Sequence, residues 1–214
     1  SDGPRFPASS RAAGFLGELL KFSYEAGSSF VAQMVSIGGW ERVNEVYSDL
    51  PRSTEQILYP DKYLKRELPR DLDFPDLSIT ALPGWVETRR NVMGVFFLDL
   101  LFGGYTVGQF IDGWVGDEYA IYERGMDNLM ILKMQWEDPA GNHFWDNAKV
   151  FLLKDHLDMY TSEVADTWIS SHLVTWQKGL RSARLFRDGV NIYLVVGTDS
   201  NAVDRVWMEL AYSE

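Results

Sequence analysis

The 214-residue sequence contains no cysteine. That excludes disulfide staples, a thiolate nucleophile and every zinc site built on Cys. Basic residues are in deficit, with 20 Lys+Arg against 31 Asp+Glu and a net charge of −11. A nucleic-acid partner needs a basic face to displace phosphate counterions, so none is expected. Long apolar runs are missing too. The most apolar stretch, "VFFLDLLF" at residues 95–102, is interrupted by Asp99 and is far short of the ~20 residues that span a bilayer. No transmembrane segment of its own is expected, although association with a membrane complex stays open. Histidine is scarce, and His143, His156 and His172 form no H-E-x-x-H pattern. His156 lies between Asp155 and Asp158, which reads as a charged helix face rather than a metal site. No G-x-S-x-G elbow occurs. No catalytic residue, metal or cofactor is expected.

What remains is ordinary globular material. Hydrophobic residues make up 46% and charged residues 24% of the chain, enough to bury a core without staples. Eight tryptophans and ten tyrosines are a surplus. Trp136, Trp145, Trp168 and Trp176 offer either core packing or an interface patch.

The first nine residues are polar and proline-bearing, and read as a flexible segment that is either a mature N-terminus or the cut end of a longer protein. From residue 10 to 37, Phe15, Leu16, Leu19, Leu20, Phe30, Val31, Met34 and Val35 recur at helical spacing. Gly38-Gly39 supplies a stop, and "WERVNEVYSDL" gives a second, shorter helix. The pair predicts a helical hairpin. Small residues at Gly27, Ser28 and Ser29 leave room for a kink or for close approach of another helix.

The stretch "DLPRSTEQILYPDKYL", residues 49–64, packs two prolines and several charges into a connector. Ser53 with Gln56 three residues later is a capping-box pattern and predicts a helix over 54–58, stopped at Pro60. Hairpin and connector together occupy residues 10–66. Residues 67–113 read as a proline-rich loop, a strand at "GWVETRR", the buried helix "VMGVFFLDLLFG" and a helical turn at "TVGQFIDG". Residues 114–214 read strand, strand, helix, strand, strand, helix. "EYAIYERG" and "LMILKMQWED" make the first hairpin, "NHFWDNAKVFLLKDHLDMY" a helix, "LVTWQKGLRSARLFRDG" one long interrupted strand and "NIYLVVG" its partner. Ser200 caps the last helix. The expected fold class is α+β: a helical hairpin with a C-terminal antiparallel sheet in ββαββα order, covered by helices on one face, all one continuous globular unit.

Two clusters of residues stand out as sites. Arg52, Ser53, Glu55, Gln56 and Tyr59 crowd the connector. Trp114, Asp117 and Tyr119 belong to "GWVGDEY", which lacks the Lys and following helix of a phosphate loop. There Gly113 and Gly116 supply unusual dihedrals to a turn, Trp114 plugs the core, and Asp117 hydrogen-bonds local backbone. Asp112, Glu118, Glu137 and Asp138 lie near strand ends, but paired carboxylate chemistry requires two of them held a few ångström apart across a sugar.

Three segments carry a family resemblance. "GGWERVNEVYSDLPRSTEQILYPDKYL" resembles the "GGW…VN…Y…PRSTEQ(V/I)LHPEKYL" signature of an uncharacterised family of extracytoplasmic, zincin-metallopeptidase-like proteins, often lipoproteins. "GWVGDEYAIYERG" resembles its "GWGGDRYALY" segment, and "RDGVNIYLVVGTDSNAVDRVWMEL" is similar to its closing strand and helix. The family's H-E-x-x-H helix is not in this sequence. Tyr59 stands where that family has histidine, Val115 where it has glycine and Glu118 where it has arginine. The resemblance implies a zincin-like scaffold outside the cytoplasm, in the periplasm or at the cell surface. With the zinc-binding helix missing, it points to a non-enzymatic accessory subunit that works by protein–protein contact. The alternatives are the C-terminal portion of a zinc metallopeptidase whose catalytic helix lies outside this sequence, and a carbohydrate- or peptide-binding module.

Overall fold

A computed structural model describes residues 8–102, 113–137, 144–146, 148–149 and 166–212. The chain divides into two compact units, Ser1–Leu68 and Pro69–Glu214.

The first unit is helical. Helix α1 (Ala8–Ser48) is two helices joined at a break, with Gly38 and Gly39 out of helical geometry. Gly39 sits at φ 66°, a conformation in which a Cβ is strained. The break lets the chain turn, so Phe30, Met34 and Val43 share one core with Tyr63. Helix α2 (Thr54–Leu58) starts where the capping signal places it, with Ser53 Oγ accepting from the Gln56 amide. Pro60 does more than stop α2. It occupies the first turn of α3 (Pro60–Leu64), where its missing N–H costs nothing. Tyr63 then packs edge-on against Phe30, ring centroids 5.3 Å apart, and its hydroxyl donates to the Asp49 carbonyl at 2.8 Å.

The second unit is built on a seven-stranded antiparallel sheet. After the short helix α4 (Leu77–Thr80) come β1 (Val86–Asn91), helix α5 (Gly94–Phe102), β2 (Trp114–Arg124) and β3 (Asp127–Trp136). Then follow β4 (Asp166–Ile169), β5 (Leu173–Lys178), β6 (Arg181–Asp188), β7 (Asn191–Gly197) and helix α6 (Ser200–Tyr212). The spatial order is β1-β2-β3-β7-β6-β5-β4. Two meanders thus meet along β3 and β7, paired from Leu129↔Gly197 to Gln135↔Asn191.

This departs from the sequence reading in three ways. The "long interrupted strand" is two strands, β5 and β6, reversed at Gly179-Leu180, and β4 precedes them. Of the helix expected over "NHFWDNAKVFLLKDHLDMY", only Phe144–Asp146, Ala148 and Lys149 are described, all helical. The ββαββα order is therefore replaced by a run of four strands, β4 to β7, before α6. Helices were expected on one face alone, yet the central strands are buried on both. Every residue from Ser182 to Phe186 and from Ile192 to Val195 is buried. Tyr122, Ile131, Phe186 and Val195 pack with α6 residues Val203 and Val206 and with Leu77, Leu82 and Trp85. On the opposite side Trp136 stacks on Phe144, centroids 3.8 Å apart, and Phe144 meets Phe102 of α5 edge-on. The "TVGQFIDG" turn lies outside the described residues.

Three hairpins share one device. Gly125-Met126, Gly179-Leu180 and Gly189-Val190 each join paired strands, with the glycine at φ between 56° and 64°. Glycine first and an ordinary residue second is the II′ pattern that matches strand twist. Gly116 has a different need. A Cβ there would lie 2.3 Å from the Arg70 carbonyl oxygen, because Arg70 donates its amide to Val115 O at 2.8 Å. Gly116→Ala is expected to destabilise the second unit by about 2–3 kcal/mol, measured as a lower denaturation midpoint at unchanged m-value. Ser182→Ala is expected to raise that midpoint, because the Ser182 hydroxyl is fully buried with no hydrogen-bond partner among the described residues, a group that costs free energy to bury.

Candidate functional site

The connector residues are held by one another. Gln56 is buried and bonded at both ends of its amide: its Oε1 accepts from the Arg52 amide at 2.7 Å and its Nε2 donates to Glu67 O at 2.7 Å. The expected reciprocal bond of a capping box is thus shifted back by one residue, from Ser53 to Arg52. Glu55 is also buried, and Lys62 Nζ bridges its Oε1 at 2.7 Å and Glu67 Oε1 at 2.8 Å. Burial pushes the Glu55 carboxyl up, against the opposing pull of the Lys62 hydrogen bond. Burial also disfavours the Lys62 ammonium, but its two carboxylate partners outweigh that and leave it raised. Arg66, which closes α3, holds φ 57°, and its guanidinium pairs with Asp49 Oδ2 at 2.5 Å. The network ties both ends of the connector together. Arg52 is exposed and Tyr59 half-buried.

Trp114, Asp117 and Tyr119 are not a turn. All three lie in β2, whose start carries an irregularity between Trp114 and Gly116. Gly113 does take a positive φ of 76°, but Gly116 is there for close approach. Trp114 is buried opposite Trp136 in the β2–β3 register. Tyr119 is half-buried between Asn91 and Leu132. Asp117 bonds distant backbone rather than local backbone. Its carboxylate accepts from the Met93 and Gly94 amides at 2.6 and 2.8 Å. It therefore caps the first turn of α5 from a neighbouring strand, where the helix leaves N–H groups unpaired. Burial pushes the Asp117 carboxyl up to about 6, against the two backbone bonds.

Beside it, Arg90 binds Glu87 in a two-pronged pair, with Nε–Oε1 at 2.8 Å and Nη2–Oε2 at 2.7 Å. It also reaches Glu118 at 3.4 Å and lies over the Phe74 ring. Tyr122 donates to Glu87 at 2.8 Å. The Arg90 hydrogen bonds hold the Glu87 carboxyl below its ordinary range. Glu118, one of the strand-end acids, is thus paired with a cation rather than with a second acid. Asp112 and Asp138 lie outside the described residues, as do His143 and His156. His172 is exposed, with Ser171 Oγ 2.7 Å from its Nδ1. No group of three His, Asp or Glu is placed to hold a metal among the described residues. Trp136, Trp145 and Trp176 are buried, as core packing requires, and the Trp168 side chain lies outside the described residues.

The connector and the β2 residues belong to different units. The open surface feature is one the sequence reading did not single out. A cavity of about 200 Å³ opens on the first unit, lined by residues of α1 on both sides of its break, among them Phe30, Val31, Met34 and Tyr47, and by Leu50 and Ile57. Every lining residue is apolar, aromatic or glycine. Tyr47 and Leu50 are exposed at its edge, and Trp40 is exposed on the same unit. The signal was the helical spacing itself, which marked these residues as core without showing that part of the face stays open.

No protein-family model matches the chain, and no curated protein or solved structure does so either.

Two tests follow from the geometry. Lys62→Met leaves Glu55 buried without its cation and is expected to destabilise the first unit by about 2 kcal/mol or more. Adding Glu55→Gln is expected to recover most of that loss in a thermal melt. Asp117 binds its proton more tightly in the folded chain than the ordinary value of 3.8 allows. Its contribution to stability is therefore fully present below pH 3.8 and is lost as the pH rises through about 6. Denaturation across that range is expected to show a decline about 2–3 kcal/mol greater in the parent chain than in Asp117→Asn.

Proposed function

We propose that the chain acts by protein–protein contact, as an accessory subunit, with the apolar groove of its helical unit as the docking surface. The observation that carries this is the groove: apolar throughout, open, and edged by exposed Tyr47 and Leu50. Soluble proteins seldom leave such a lining uncovered without use for it. The charged residues point the same way. Glu55, Asp117, Glu87 and Glu118 are engaged in internal bonds that hold the fold, which leaves them poorly placed for acid–base work on a substrate. With this reading goes the resemblance of the three segments to zincin-like extracytoplasmic proteins, whose scaffold would here serve contact. Among the described residues no helix is long and apolar enough to cross a membrane.

The test is occupancy of the groove by a neutral apolar dye such as Nile red, at submicromolar chain concentration. Fluorescence enhancement is expected with the parent chain. It is expected to fall at least ~10-fold in affinity in Val31→Glu and in Tyr47→Glu, with thermal midpoints close to the parent's. Equal dye binding in parent and variants would overturn the reading.

A further inference from the structure

The sheet ends at β1 on one side and at β4 on the other. Strand β4 has only four residues, a length that offers little for another chain to pair with. Strand β1 is longer, and all six of its residues are exposed. Among the described residues it pairs with β2 alone. The outer side of such a strand carries a row of N–H and C=O groups that a further strand can use. This edge is therefore where a partner, or another copy of the chain, would extend the sheet.

The ladder along β1 is broken in the middle. Val86 and Glu87 oppose Glu123 and Tyr122, while Arg89, Arg90 and Asn91 oppose Ile121, Ala120 and Tyr119. Thr88 has no partner in that register and is an extra residue, a bulge. Its Oγ1 donates to Ile121 O at 3.4 Å. The bulge also permits a geometry that a regular strand forbids. Residues three apart on a strand point to opposite faces. Yet Glu87 and Arg90 stand on one face, opposite Tyr122 and Ala120, and form their two-pronged pair there. The buried Tyr122 donates to the same Glu87 carboxylate. The pair needs the extra residue, and the pair in turn holds the extra residue in place.

We infer that β1 is an edge closed to strand addition, with Thr88 as the block and the Glu87–Arg90–Tyr122 clamp as what fixes it. A strand laid along β1 would keep step as far as Glu87 and lose it at Thr88, where the bulge bends the edge and increases its twist. The charges of Glu87, Arg89 and Arg90 line what remains, and charge on an edge strand discourages pairing. The inference is independent of the groove on the first unit. It removes one mode of contact, strand addition, from the longer edge of the second unit, whatever the groove accepts.

Deleting Thr88 tests it. The five remaining residues of β1 already oppose five successive residues of β2, Glu123 to Tyr119, so the deletion leaves every pair in place and the net charge unchanged. Parent and variant, as full chains, are compared by sedimentation and by thioflavin T fluorescence, with thermal melts to show that both are folded. The deletion is expected to self-associate at least ~10-fold more tightly than the parent and to bind the dye where the parent does not. Adding Val86→Pro, which removes an amide at the first residue of the strand, is expected to reverse the gain. Should the deletion fail to fold, Glu87→Gln with Arg90→Gln carries the test. It also conserves net charge, it frees the bulge from its clamp, and the same gain in association is expected. A folded variant that associates no more than the parent overturns the inference, as does association that Val86→Pro leaves untouched.

Discussion

The second unit depends on the main-chain pairing of β3 with β7. Each meander, β1-β2-β3 and β4-β5-β6-β7, is a set of local hairpins with one face to bury and an edge to hide. Joined along seven residue pairs from Leu129↔Gly197 to Gln135↔Asn191, they become one sheet whose middle strands lose both edges and both faces to the interior. The consequences reach outward from that seam. Tyr122, Ile131 and Val195 line up as a floor for α6. Arg184, almost buried in β6, pairs with Asp204 of α6 at 2.6 Å, and Arg124 of β2 pairs with Asp199 at the start of α6 at 2.7 Å. Asp199, rather than Ser200, caps that helix, accepting from the Asn201 and Ala202 amides.

Much of this order was legible in the sequence, because local rules govern it. Ser53 and Gln56 mark a helix start through hydrogen bonds only three residues apart. Gly38-Gly39 marks a break through backbone freedom alone. The β1 strand and the apolar α5 are likewise written in short windows. The misses have a common cause. Gly179-Leu180 reverses the chain between two apolar runs without Asn or Asp beside the glycine, so β5 and β6 read as one strand. Burial on both faces removes the alternation by which a half-exposed strand is recognised. Which strands the sheet would place side by side depends on contacts far apart in the chain.

The site residues divide along the same line. Ser53 and Gln56 could be assigned roles from spacing. Asp117 could not, because its partners Met93 and Gly94 are more than twenty residues away. A carboxylate that looked like a turn former is the distant cap of α5, and a stretch that looked like a turn is the first half of β2. The groove was hidden for the opposite reason. Its residues follow helical periodicity faithfully, and periodicity reports which face of a helix is apolar, not whether that face is covered.

The methionines give the two units separate chemical clocks. Met126, alone on its hairpin tip, is 97% exposed, whereas Met34 in the helical unit and Met134 in the sheet are fully buried. Peroxide converts a thioether to sulfoxide only where it can reach sulfur. Met126 is then an early lesion and leaves both cores intact, since its side chain supports neither. Sulfoxide at Met34 records an opening of the first unit, and sulfoxide at Met134 an opening of the second. Without a single thiol to compete for oxidant, the chain carries its own record of which half has come apart.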